Sequence, residues 1–310
     1  MTARDRLLAL VVVLVWGANF VVIDWGLAGF PPLLFAALRF VLVVFPAVLL
    51  VPRPAGRWRD VALVGLCLSV GQFGLLYTAL ATGMPPGLAS LVLQIQAALT
   101  VLLAGIVLRE RPSRLQVAGI GVGVLGLVVV ALGRGGSVPL GALGLTVAAA
   151  ASWAAGNVAV RRLPRGERHG FTDGLSLTVW SGLVVPVPLF ALSLVLDGPA
   201  RVGEARTHVT LVNVASTAYT ALLSSLFGYG VWNTLLGRHR AAEVAPFSLL
   251  VPVVGMTTAL LVRGERPTLQ ALLGGGLLVL GVAVTTTATR GTRAVPEGEQ
   301  VRQVGTSHLR

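Results

Sequence analysis

The stretch from Phe73 to Pro112 occurs twice in this chain, and that duplication limits the possible folds more than any other feature. Phe73-Gly74 matches Phe227-Gly228, and Glu110-Arg111-Pro112 matches Glu265-Arg266-Pro267 with a separation one residue longer. The glycines that follow also repeat, with Gly119, Gly121 and Gly126 answering to Gly274, Gly276 and Gly281. A repeat of this length means that two related halves build one molecule.

What each half contains follows from hydropathy. Hydrophobic residues make up 55% of the chain and charged residues only 12%, where a soluble domain carries about 25% charged residues. Mean hydropathy is +0.84. An apolar helix needs about 20 residues to cross a bilayer. Ten such runs are expected, at 7–27, 32–51, 60–81, 87–107, 115–133, 139–160, 172–196, 209–236, 242–262 and 268–288. Breakers separate them, among them Pro31-Pro32, Pro52-Arg53-Pro54, Pro85-Pro86, Pro112, Pro139, Pro164, Pro199 and Pro267. The fold class is therefore an all-α integral membrane protein. Residues 1–135 form the first five-helix repeat and 136–289 the second, with a disordered cytoplasmic tail at 290–310. The first run follows Arg4 and Arg6 as a signal peptide would, but it is long enough to cross and has no small-residue cleavage site after it, so it reads as a retained span.

Charge placement orients the chain. All 24 basic residues are arginines. With the N-terminus in the cytoplasm, 18 of them fall in cytoplasmic segments, five (Arg134, Arg201, Arg206, Arg263, Arg266) fall outside, and Arg39 lies within a span. This is the positive-inside bias. It also accounts for the net charge of +12 without nucleic acid, since the arginines sit in short clusters between apolar runs. Five spans per half is an odd number, so the second half enters from the opposite side and the repeats are inverted. That arrangement suits a carrier with inward-open and outward-open shapes around a midplane site. Both termini are expected in the cytoplasm.

The motifs resemble those of the EamA family within the drug/metabolite transporter superfamily, across residues 6–288. The resemblance is carried by Val15-Trp16-Gly17-Ala18-Asn19-Phe20, by Leu38-Arg39-Phe40, and by the doubled Glu-Arg-Pro with its glycine-rich following span. Asn19-Phe20-Val21-Val22-Ile23, Leu91-Val92-Leu93-Gln94 and the segment from Pro246 to Met256 look most like the branch that exports O-acetylserine and cysteine. The resemblance implies ten helices, a central cavity, the bacterial inner membrane, and efflux of small amino-acid metabolites. Other amino acids or drug-like metabolites are the alternative cargo.

Polar residues deep in spans mark candidate sites, because lipid-facing polar groups are unfavourable. Trp16 with Asn19, and Trp153 with Asn157, lie at helical spacing near mid-depth in the spans that open the two halves. They read either as an aromatic wall with an amide for an amino-acid head group, or as amides tying helices together. Ser225, Tyr229, Trp232 and Asn233 form a polar-aromatic stripe that lines a cavity or belongs to an interfacial belt. Gln94 and Gln96 cannot share one face, so Gln94 is assigned to substrate and Gln96 to a helix–helix bond. Gln72 and Tyr77 are secondary candidates. Arg39 costs about 2.5–3.5 kcal/mol to insert near a helix centre. It holds a substrate carboxylate, or it is a structural charge snorkelling outward or bonded to carbonyls. Asp24 pairs with Arg39, binds a coupling proton or is solvated at its span end. Glu243 caps a helix, and Glu110 and Glu265 make local ion pairs. Pro246 and Pro252 kink or unwind the ninth span.

The glycine pattern from Gly121 to Gly126 imitates a dinucleotide fingerprint, but it lies inside an apolar run with no preceding strand. His169, His208, His239 and His308 are outside the apolar runs or at their ends, and Cys67 is single. No set of residues suits a catalytic centre, a metal or a cofactor, although a membrane-embedded enzyme or a non-transporting receptor or scaffold remains the rival class. The expected partners are a small-molecule substrate and the lipid bilayer, with a homodimer as an open alternative to a single copy.

Overall fold

The structure is a computed structural model that describes residues 1–133, 138–164, 171–239 and 241–288. Arg134, Arg165, Arg168, His169, Arg240 and everything from Thr289 onward lie outside the described residues, including the expected tail with its four arginines and His308. Within the described residues the chain is all helical. Eight helices are long and apolar enough to cross a membrane: α1 (Ala3–Gly26), α2 (Pro32–Leu49), α3 (Trp58–Ala81), α4 (Pro86–Val107), α5 (Arg114–Leu132), α6 (Leu140–Val160), α8 (Leu211–Arg238) and α10 (Leu269–Ala288). The seventh expected span is a broken helix, α7, with Phe171–Gly182 and Pro186–Leu196 meeting at a 44° bend. The ninth, α9, is also in two pieces, Ala241–Ser248 and Val251–Arg263.

Local sequence explains where these helices begin. Proline cannot donate a backbone N–H, so it fits best in a first turn where that group has no helical partner. Pro32, Pro86 and Pro186 open helices in this way. Elsewhere side chains cap the free N–H groups: Thr2 accepts from Asp5, and Ser113–Gln116 and Thr210–Asn213 form reciprocal capping boxes. Pro252 enters the first turn of the second piece of α9, so the chain breaks at Leu249–Leu250 rather than bending around the proline itself.

The two halves make corresponding contacts. α1 packs on α8 as α6 packs on α3, and α1 packs on α9 as α6 packs on α4. α5 and α10 form the most intimate pair. A Cβ on Gly126 would lie 2.5 Å from the Gly274 carbonyl oxygen, and one on Gly274 would lie 2.6 Å from that of Gly126. The repeated glycines therefore let two backbones touch, as small residues do between membrane helices. A second correspondence lies in α3 and α8. Each carries a π-helical segment, Leu66–Gly71 in one and Tyr219–Phe227 in the other, leading into the repeated Phe-Gly. π-turns inside α-helices occur often at functional sites.

Candidate functional site

The most expensive residue has the most elaborate surroundings. Arg39 on α2 is 1% exposed. Its guanidinium does not snorkel outward, and among the described residues it is bonded to side-chain hydroxyls rather than to carbonyls. Nε and Nη2 both donate to Ser225 Oγ, at 3.1 and 2.8 Å, and Nη1 donates to Tyr77 Oη at 3.0 Å. The Phe73 ring faces the guanidinium carbon at 4.0 Å, a cation–π contact that offsets part of the lost hydration. Ser225 in turn donates to the Thr220 carbonyl at 2.9 Å. Among the described residues no carboxylate pairs with Arg39. Asp24 instead binds Arg263, at 3.0 Å, because helix order brings the end of α1 against the end of α9.

Trp16 sits beside this cluster. Its indole Nε1 donates to the Ser224 carbonyl, at 2.9 Å, one residue from the serine that holds Arg39. Its ring meets those of Tyr229 and Trp232, each at a centroid distance of 5.2 Å. The Gly228 backbone lies directly beneath the indole, where a Cβ would come within 2.5 Å of Nε1. Three aromatic rings thus gather on one stretch of α1 and α8, as the stripe at spacing three and four suggested.

The amides divide into two groups. Asn157 Nδ2 donates to Gln96 Oε1 at 3.0 Å and to Thr100 Oγ1 at 3.2 Å, so it ties α6 to α4. That is the structural alternative for Asn157 and the expected role of Gln96. Asn19 is different. It is 7% exposed, and its Oδ1 is buried with no hydrogen-bond partner. Gln94 and Gln72 are also buried, and among the described residues neither side chain has a protein hydrogen bond. Gln94 lies in a 3₁₀ turn, Leu93–Ile95, that resets the helix between it and Gln96. A buried polar atom without a partner costs about 1–3 kcal/mol, and among the described residues Asn19 Oδ1 is the one such side-chain atom. Trp153 on α6 is half-buried against the main core, and Asn233 on α8 is half-buried with a partner of its own.

The remaining carboxylates serve helix ends. Glu265 Oε2 accepts from the Gly87 N–H at 3.1 Å, capping the start of α4. Burial raises the Glu265 carboxyl above the usual range, and Asp24 adds to that, while the Gly87 bond and Arg263 pull it back. Glu110 pairs with Arg161 across from α6, and Glu243 with the N-terminal ammonium at 2.7 Å. Neither Glu265 nor Glu110 uses its neighbouring arginine as expected. Both reach across the fold.

Two cavities open elsewhere. One, of about 140 Å³, is bounded by Pro85, Gly87, Met256, Glu265, Pro267 and Ala271. The other, of about 440 Å³, is an apolar groove along Leu34, Leu38, Val41, Val187 and Phe190. Neither is lined by Trp16, Asn19, Gln94 or Arg39, so neither is the central chamber that the family resemblance implied. Trp16 packs at a tilt against both Tyr229 and Trp232 beside the Arg39 cluster. Phe73 against the guanidinium and Thr220 behind Ser225 were the features that sequence reasoning missed around Arg39. The repeated Phe-Gly and the polar stripe were the signals that pointed to them.

The family model for the EamA-like transporter family matches residues 6–132 and again 140–287, nearly the whole chain in two copies. The chain belongs to the EamA family. It is 41% identical over 300 residues to a probable amino-acid metabolite efflux pump of Escherichia coli, covering 96% of this chain and 100% of that one. It is 30% identical over 287 residues to a probable terminal-alkyne amino-acid exporter of Streptantibioticus cattleyicolor, covering 91% and 93%. A crystal structure matches with a TM-score of 0.60 at 20% identity over 94% of this EamA chain and 99% of that chain, which speaks for the fold alone. As an EamA protein the chain is a multi-pass membrane transporter and not an enzyme.

Proposed function

We propose that this transporter exports small polar metabolites, amino acids of the cysteine pathway such as cysteine and O-acetylserine, across the bacterial inner membrane. Its two five-helix halves, 1–135 and 136–289, run in opposite directions with both termini cytoplasmic, and they rock about a site near the middle of the bilayer. The corresponding helix contacts and the paired π-segments support two equivalent halves. The arginine asymmetry supports the orientation. The amino-acid exporters among the relatives support an amino-acid metabolite as cargo.

The site comprises Trp16, Asn19, Gln94, Trp153, Tyr229, Asn233 and Arg39, with Gln72 beside them, while Asn157 serves the α6–α4 joint. The observation that carries the reading is Asn19: an amide oxygen buried in the middle of α1 that no protein group satisfies. A substrate ammonium is the donor that suits it. In this view the closed aromatic stack is an occluded state, and substrate enters when the halves move. Flux of labelled cysteine and O-acetylserine from proteoliposomes containing the purified protein tests the cargo. Absence of flux for both, in vesicles that move other amino acids, removes the cysteine-pathway assignment. Labelling of single cysteines at positions 110 and 265 tests the orientation. Reaction from the same side of the bilayer removes the inverted arrangement.

A further inference from the structure

We propose that the Arg39–Ser225 contact is a carboxylate site in its empty form, where a substrate carboxylate replaces the serine hydroxyl on the guanidinium. The inference rests on the export reading above and adds the group that selects the cargo.

The donor and acceptor inventory leads there. A guanidinium has five N–H groups, and Arg39 uses three, two on Ser225 and one on Tyr77. The others have no partner among the described residues. Ser225 is saturated: its hydroxyl accepts twice from Arg39 and gives its one hydrogen to Thr220. A neutral hydroxyl is a poor match for a planar fork that binds carboxylates through two parallel bonds. The cation is also fully buried with an aromatic face and two hydroxyls but no anion. Burying an unpaired charge is unfavourable, and an anion with more acceptor sites than a serine relieves that cost. Displaced Ser225 keeps its bond to Thr220 within the π-helical segment, so the exchange needs no new partner for it. Trp16 binds the adjacent Ser224 carbonyl. Occupancy at Arg39 is thereby transmitted along one stretch of α8 to the aromatic stack.

The class of ligand follows. It carries a carboxylate at one end, and an amine that lacks the carboxylate binds poorly. The test compares amino acids with their decarboxylated amines in proteoliposomes containing the full-length protein: L-cysteine against cysteamine, and L-serine against ethanolamine. The wild type is expected to prefer each amino acid by about tenfold or more, the worth of one charged hydrogen-bonded contact. Arg39→Gln removes an uncompensated buried charge while keeping an amide donor, and its unfolding temperature in detergent reports that it folds. It is expected to bring the preference to about one. Ser225→Ala frees the fork, and is expected to lower KM for the amino acids relative to that for the amines about threefold or more.

Retention of the wild-type preference by Arg39→Gln overturns the proposal. A Ser225→Ala variant whose KM rises equally for acids and amines also overturns it. Transport of serine but of neither cysteine nor O-acetylserine, with the preference lost in Arg39→Gln, supports this inference and defeats only the cysteine-pathway assignment. A wild type that moves no amino acid and no amine defeats both.

Discussion

Asn157 Nδ2 donates to Gln96 Oε1 at 3.0 Å across the α6–α4 contact, with Thr100 Oγ1 as a second acceptor at 3.2 Å. Two residues that sequence reasoning assigned to different roles therefore form one joint. Polar bonds between membrane helices contribute about 0.6 kcal/mol on average and up to ~1.7. Asn157→Ala and Gln96→Ala should each lower stability by about that amount. The double variant should lose little more than either one, because both remove the same bond. Thermal unfolding in detergent measures this, and additive losses would separate the two residues.

Asn19→Ala should behave in the opposite way. Its Oδ1 has no hydrogen bond to lose, so removing an unsatisfied buried polar atom should leave stability unchanged or raise it. Amino-acid flux should fall. The decisive comparison is flux against unfolding temperature in the same preparation. A destabilised variant with normal flux would make Asn19 a structural amide.

Glu265 predicts a pH effect with a definite sign. Burial raises its carboxyl above the ordinary glutamate range, with Asp24 acting in the same direction. A raised value means that the folded state holds its proton more tightly than the unfolded chain does. The stabilisation linked to that proton is present at acid pH and is lost as pH rises through the raised value. Glu265→Gln keeps an acceptor for the Gly87 N–H but cannot ionise. Its unfolding temperature should gain on the wild type as pH rises through that range, and a pH-independent difference would contradict the assignment.

The glycine pair between α5 and α10 offers a control within a single helix. A Cβ at Gly126 would lie 2.5 Å from the Gly274 carbonyl and from the Leu278 nitrogen, whereas one at Gly121 would meet nothing within 4 Å. Gly126→Ala should destabilise by about 1–3 kcal/mol, as overpacking does. Gly121→Ala should be neutral or stabilising by up to about 1 kcal/mol through helix propensity. Equal effects at the two positions would mean that the backbones do not touch.

The halves, the spans and the family could be read from the chain because each has a one-dimensional signature. Apolar length identifies a span whatever it packs against, and duplicated Phe-Gly and Glu-Arg-Pro survive as strings. Helix-opening prolines also act locally, so Pro31-Pro32 and Pro85-Pro86 marked the starts of α2 and α4 before any fold was known. The stripe on α8 was legible for the same reason, since spacing alone places Tyr229 and Trp232 near one face.

Partnership was not legible, because it depends on which helices the fold brings side by side. The sequence left Arg39 open to a substrate carboxylate, to snorkelling outward, to carbonyls or to Asp24. Only the meeting of α2, α3 and α8 gave it Ser225, Tyr77 and Phe73. Asn19 and Asn157 have similar sequence settings, yet one is left unsatisfied and the other is bonded to α4. The sequence by itself determined a duplicated, membrane-spanning helical chain, since burial in lipid is a property of each segment's own composition. The tertiary structure alone decided which buried polar groups are satisfied within the protein and which, like Asn19 Oδ1, are not. A hydrogen bond needs two groups within about 3 Å, and sequence spacing does not fix that distance between helices.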